Sequence, residues 1–473
     1  MKKTPRYMLI ALFAACCMSN YVPAYAEEQK NEEYATIQQQ AAEVVNEGLN
    51  YLILEQNKKA EECFIKALSL DPYSEQAYNF LGLLYMQDNL NDKAEEMLKK
   101  AIAIEPMYPE AMRNLGKLYL RQDKFKEASV YLKRTLSIDD RQAYTWYLLG
   151  MAQYFSGNVE EAIDSYEKAF SMESGLPIEA HYNLGVAYHE NAQFLNAAKE
   201  YEEVIKLDPN HINAYNNLGL VYSIVGEREK AISLFNKVLE IDPTNIKARI
   251  NLGNVYLSTS DLVEAEQIYR SAISIDKSDI SPRLNLGVVY YKQGDFVKAK
   301  SEWESLLSEN PNSVRILSVM GSAYLERHEY DRAIDIFKRI INIMPENGSI
   351  SNTLGYLLAE RDKELDYAEK LIEKAITLDK ANRATYYDSL AWVYYKQHKY
   401  EQAYKILDKS IKIFKLSHTP ISTDVYYHMG KLREIRNQYE LAGESYKMAI
   451  QSNTDAETVK LASESLALLE KHK

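Results

Sequence analysis

The apolar positions of this chain recur with a period of 34 residues, and inside each period they fall at helical spacing. The marker is a phrase. It reads N-L-G-V-A-Y at Asn183–Tyr188, N-L-G-L-V-Y at Asn217–Tyr222, N-L-G-N-V-Y at Asn251–Tyr256 and N-L-G-V-V-Y at Asn285–Tyr290, with an earlier N-L-G-K-L-Y at Asn114–Tyr119. Its glycine sets a register through Gly48, Gly82, Gly116, Gly150, Gly185, Gly219, Gly253, Gly287, Gly321, Gly355, Ala391 and Gly430. Eight of the eleven steps are 34 residues, one is 35, and the last two are 36 and 39. Three residues past the glycine stands Tyr in most units, as in Tyr85, Tyr119 and Tyr222. Twelve past it stands Ala, and four later a bulky residue such as Phe64, Tyr201 or Trp303. Pro often closes the unit, as at Pro72, Pro209 and Pro243.

Turn residues such as Gly157-Asn158 and Gly226-Glu227 separate the glycine from the alanine. Each unit therefore predicts two antiparallel helices. Gly and Ala are nearly equidistant from the turn, so they are expected face to face, with Leu, Tyr and Phe filling the seam. The closing Pro cannot continue a helix interior but can open the next helix. A fixed period of this size signals stacked helical pairs, each covering the open face of its neighbour.

About twelve units fill residues 41–453, preceded by a linker or helix at 27–40, and leave no room for a separate domain. In the tenth unit Ala368 comes one residue late, which implies an insertion in its turn. Extra residues around Leu416–Ser422 stretch the last step. Thr454-Asp455-Ala456-Glu457 reads as a capping box opening a final helix over 454–473. Its stripe of Val459, Leu461, Ala462, Leu466 and Leu469 is expected to cover the last unit.

These residues resemble the tetratricopeptide repeat family, whose Trp/Leu-Gly-Tyr pattern on the first helix and Ala-Phe-Ala-Pro pattern on the second are met almost position by position. The resemblance implies an all-α, right-handed α-solenoid (superhelix) of about twelve helix-turn-helix units plus a C-terminal capping helix. First helices would line a concave groove, and the family's usual work is holding other proteins together. Asp388-Ser389-Leu390-Ala391-Trp392, in the eleventh unit, resembles a variant found in bacterial envelope members.

Composition adds location. The first 26 residues carry Lys2, Lys3 and Arg6, an apolar run Tyr7–Cys17, and Ala24-Tyr25-Ala26 at a peptidase site, which together read as a signal peptide. The run is too short to span a bilayer. The protein is thus expected to be exported and periplasmic, with Cys63 its one remaining thiol and no internal disulfide. Lipoprotein processing at Cys16, after Phe13-Ala14-Ala15, is the alternative and would tether it to the outer membrane. Net charge is −12, and −15 without the leader's three bases, which disfavours nucleic acid or an anionic membrane face as a partner.

No catalytic residue, metal site or cofactor is expected. The eight histidines show no ligand spacing; His181 and His189 share a helix, where packing explains them. Three features suit binding instead. The first is the asparagine two residues before the glycine: Asn114, Asn183, Asn217, Asn251 and Asn285. Family members that bind extended peptides use such a ladder, because a primary amide both donates and accepts. The plainer role is bridging adjacent helices. The second is the basic stripe Arg113, Lys117 and Arg121, on one helix face and able to receive a carboxylate or phosphate, or to pair with Glu110. The third is Tyr144, Tyr147, Met151 and Tyr154, at helical spacing, as anchors or as core. Trp392 is expected to face the groove, while Trp146 and Trp303 are expected to pack. The leading reading is a non-enzymatic scaffold that binds an extended segment or partner protein and serves a secretion, pilus or polysaccharide-export complex. The alternatives are a lipoprotein with an assembly role, or a regulatory repeat subunit of an envelope enzyme such as a glycosyltransferase. The oligomeric state is not set by these residues.

Overall fold

The computed structural model describes residues 35–172 and 175–471. The leader expected over 1–26, Cys16 and residues 27–34 of the linker lie outside the described residues. Every regular element among the described residues is a helix, from one over 35–53 to the last at Ala456–Lys471. First helices such as Ala143–Phe155 run 13 residues and second helices such as Val159–Met172 run 14. The chain forms two compact units, Met1–Ala248 and Arg249–Lys473, each holding six of the twelve register positions. Among the described residues no helix is long and apolar enough to cross a membrane.

Inside each unit, successive first helices touch: Pro109–Arg121 meets Glu75–Gln87 and Ala143–Phe155, and Arg383–Lys396 meets Gly348–Glu360 and Thr423–Ile435. Within a unit, second helices such as Phe125–Ile138 and Leu365–Leu378 pack against the first helix of their own repeat and the first helix of the next. First helices therefore form the inner row.

The register glycine makes the hairpin by a different contact from the one expected. A Cβ on Gly82 would lie 2.6 Å from Leu98, and one on Gly185 2.8 Å from Tyr201. On Gly287 it would overlap the Trp303 indole. The glycine thus faces the bulky residue sixteen positions on, not the alanine; only the alanine carbonyl comes near, as with Ala94 O at 3.4 Å. Those bulky residues (Phe64, Tyr166, Tyr201, Phe235, Tyr269, Trp303 and Tyr446) are the largest fully buried side chains among the described residues. A Gly287→Ala change gains about 1 kcal/mol of helix propensity but overpacks the notch, at about 1–3 kcal/mol. The expected net result is a lower urea midpoint for the second unit.

Each hairpin turn holds one residue at positive φ, seven past the register position, as at Asn89, Gly157, Gly226 and His398. In the tenth repeat there are two, Asp362 at 51° and Glu364 at 44°, and this second left-handed residue absorbs the insertion. The closing prolines do not open helices, contrary to expectation. Pro72 follows the C-cap Asp71, and the next helix starts at Glu75. The turn is organised by the aspartate, which accepts the N–H two residues on: Tyr73 to Asp71, Asn210 to Asp208 and Thr244 to Asp242, each at 3.0 Å.

The long last step is a 17-residue helix, Tyr400–Leu416, and its following connection. The final helix is capped by Asp455, whose Oδ2 accepts the Thr458 N–H at 2.6 Å, one residue later than the expected capping box. Thr454 is instead engaged by Thr423, whose N–H donates to its Oγ1 at 2.9 Å. Ala462 is buried against the last repeat, with Leu466 and Leu469 beside it. Leu461 is not part of that seam: it is 40% exposed and lines a cavity.

Candidate binding face

The ladder asparagines sit on the inner row, and most of them already hold the preceding repeat. Asn114 donates Nδ2 to Asn79 Oδ1 at 2.9 Å and is buried. Asn183 donates to the Tyr147 hydroxyl at 3.3 Å, and Asn217 to the Tyr182 hydroxyl at 3.1 Å. Asn285 donates to Asn254 Oδ1 at 2.9 Å. Asn251 Nδ2 is buried without a hydrogen-bond partner. The donor half of four amides is thus engaged in bridging neighbouring first helices.

The basic stripe likewise works between repeats. Arg121 reaches back to the Met86 carbonyl at 2.7 Å and to Asn89 at 2.6 Å, satisfying the end of the previous first helix. Arg113 reaches forward to Gln142 at 3.0 Å, and Lys117 lies 5.9 Å from the Tyr144 ring centroid. Tyr144 is the exposed member of the aromatic group; Tyr147 is buried under Asn183 and stacks obliquely near Tyr166. Burial and a bond to Glu190 push Tyr154 up to about 12. Met151 is half-buried beside it.

The tyrosine three past the glycine does more than fill the seam, because its hydroxyl is an inter-repeat strut. Tyr85 and Tyr119 donate to Glu61 and Glu95, both at 3.0 Å, and Tyr188 and Tyr222 to Glu167 and Glu202, both at 2.6 Å. The acceptors occupy two positions one helical turn apart on the preceding second helix, so a phenol reaches either. Burial first, then the Glu95 bond, pushes Tyr119 up to about 12.

The second unit ends in a feature that no motif announced. A cavity of about 530 Å³ is walled by the last four first helices and by the start of the final helix. Its lining includes Tyr330, Asn352, Tyr356, Glu360, Asp388, Ser389, Asp424, Asp455 and Glu457. Burial first, and then the charge of Glu457 on the final helix, raise the pKa of Tyr330, which lies four repeats back on the same lining. Beneath it His428, 2% exposed, bonds Asp388 Oδ1 through Nδ1 at 2.8 Å. The His428 ring stacks on Trp392 with centroids 4.1 Å apart, and Trp392 stacks on Tyr395 at 4.7 Å. Trp392 is therefore buried, its N–H bonded to Glu360, and not the open groove residue expected.

The electrostatics follow from burial among carboxylates. Burial disfavours the His428 cation, but Asp388, Asp424 and Glu360 outweigh it and hold the imidazole above its ordinary value. Burial lifts the Asp424 carboxyl above its usual range, against the hydroxyl bond from Thr458 at 2.6 Å. One sequence signal did mark this end. After four consecutive asparagines the ladder position reads Val319, Thr353, Ser389 and His428 in the last four repeats. Among the described residues no group of three or more His, Cys, Asp and Glu could hold a metal ion.

Family models agree with this geometry. Models described as tetratricopeptide repeat match residues 45–74, 86–152, 143–175, 212–245, 234–267 and 290–354, and a TPR repeat model matches 193–223. No curated protein matches the sequence. Among solved structures, yeast Tom70 aligns at 15% identity over 92% of this chain and 96% of its own, with a TM-score of 0.44. YrrB, a TPR protein with an unusual peptide-binding site, aligns at 22% identity over 40% of this chain and 96% of its own, with a TM-score of 0.38. MamA aligns at 28% identity over 36% of this chain and 92% of its own, with a TM-score of 0.34. With its repeats matched over more than half of the sequence and its hairpins built around the register glycine, the chain belongs to the tetratricopeptide repeat family.

Proposed function

We propose that the protein is an exported, non-enzymatic scaffold of the bacterial envelope that binds an extended segment or partner protein along its inner row of first helices. Its work there would be the assembly of a secretion, pilus or polysaccharide-export complex. The observation that carries the reading is the pre-locked polar surface of that row. In the first unit Asn183 and Asn217 are each held by an inter-repeat bond through Nδ2, which leaves an oriented amide oxygen to accept a peptide N–H. A surface ordered before binding loses less entropy when the partner arrives. Tyr144, 40% exposed with Lys117 beside it, supplies an aromatic anchor that the fold does not require.

The test is crosslinking and affinity capture from envelope fractions, comparing the wild type with a Lys117→Ala/Tyr144→Ala pair. A specific partner set should fall several-fold with the pair while helicity is unchanged. An unchanged set, or hydrolase or transferase activity in the pure protein, overturns the reading. Fractionation and lipid labelling test the location: a labelled Cys16 band defeats cleavage after Ala26.

A further inference from the structure

Resting on the scaffold reading but going on to the chemistry of the partner, we propose that the cavity at the end of the second unit receives an arginine side chain from a basic segment of that partner. The lining of the cavity is rich in hydrogen-bond acceptors. Asp388 is only 5% exposed yet lines the cavity. Its Oδ1 takes the His428 bond at 2.8 Å. Carboxylates that face a cavity are best met by an occupant that donates.

Charge points the same way. Glu360, Asp388, Asp424, Asp455 and Glu457 line the space, against Arg361 as its one strong cation. Arg361 is already placed, its guanidinium carbon 4.9 Å from the Tyr330 ring centroid at the rim. A second guanidinium fits this chemistry better than an ammonium. It carries five donors and no acceptor, matches carboxylates in pairs, and stacks on aromatic faces such as Tyr356. At about 530 Å³ the cavity admits the side chain together with the backbone that delivers it.

The wall that the test alters is separable from the fold. Asp455 and Glu457 are both exposed. Asp455→Asn keeps the cap, because asparagine serves there as well as aspartate, and Glu457→Gln is isosteric. The probe is a synthetic twelve-residue peptide with two arginines among glycine and serine, titrated into the full mature chain by calorimetry. Its counterparts carry citrulline or lysine in place of arginine. The arginine peptide should bind, with affinity falling as salt rises. The citrulline peptide should bind roughly tenfold more weakly or worse, the lysine peptide should fall between, and the D455N/E457Q chain should lose roughly tenfold for arginine. No binding of the arginine peptide, equal binding of citrulline, or an unaffected double variant overturns the proposal. The scaffold reading falls separately: arginine binding that persists while the Lys117→Ala/Tyr144→Ala pair captures the same envelope proteins defeats that reading and leaves the cavity intact.

Discussion

Trp303→Ala should lower the stability of the helices around it by about 3–5 kcal/mol, the range for truncating a large buried aromatic. Trp303 is 1% exposed, fills the notch over Gly287, and donates its indole N–H to the Leu284 carbonyl at 3.2 Å. Removing it opens a void in the seam and orphans that bond. The loss should be local, because each repeat packs mainly on its neighbours. In hydrogen exchange, amides of Ile280–Lys292 and Phe296–Glu309 should lose protection, and those of Asn91–Ile104 should not. Adding Gly287→Ala should then do less harm than it does alone, since its methyl enters the emptied space. Trp146 is the contrast: half-buried, with Lys168 4.4 Å from its ring centroid, it should lose far less on truncation. Equal losses at the two tryptophans would refute the notch as the organising contact.

Asp388→Ala is expected to rank beside it, at about 3–5 kcal/mol, because it strands His428 without its carboxylate in a buried site. Replacing both residues by leucine should be far milder, since the desolvation penalty leaves with the pair. The pair also sets a pH dependence. His428 titrates above its ordinary value, held there against burial by Asp388, Asp424 and Glu360. The stabilisation it contributes is therefore fully present below about pH 6.5, the unfolded value, and is lost as pH rises through the folded value. Asp424, with its folded carboxyl raised by burial, acts in the same direction at lower pH. The urea midpoint of the second unit should accordingly be higher near pH 6 than near pH 8.5. In the double leucine variant the difference should shrink. A midpoint that rises with pH would contradict this charge arrangement.

The candidate binding residues lie on first helices, but their employment is not legible in the sequence. An amide such as Asn217 satisfies a ligand and the hydroxyl of Tyr182 equally well on paper. Which one holds it depends on the rotation of one repeat against the next, and periodicity does not encode that. Arg121 likewise reads as a free cation until the end of the Met86 helix turns out to lie within reach. Trp392 reads as a groove residue until His428, from the next repeat, covers it. The glycine-to-alanine pairing differs for a simpler reason: counting from the turn takes no account of side-chain reach, and the bulky residue sixteen on fills the notch over the glycine.

The sequence alone determined the helical hairpins, their twelve-fold register and the insertion near Ala368. Each of these follows from local spacing, steric size and turn chemistry. Tertiary structure alone decided where the repeats leave an opening. The C-terminal cavity gathers side chains from Leu325 to Leu461, and it exists because the final helix lies close to the inner row and leaves Leu461 lining the space. A repeat period specifies how each unit meets its neighbour; the meeting of units several repeats apart is a sum of small rotations, and only the folded chain performs it.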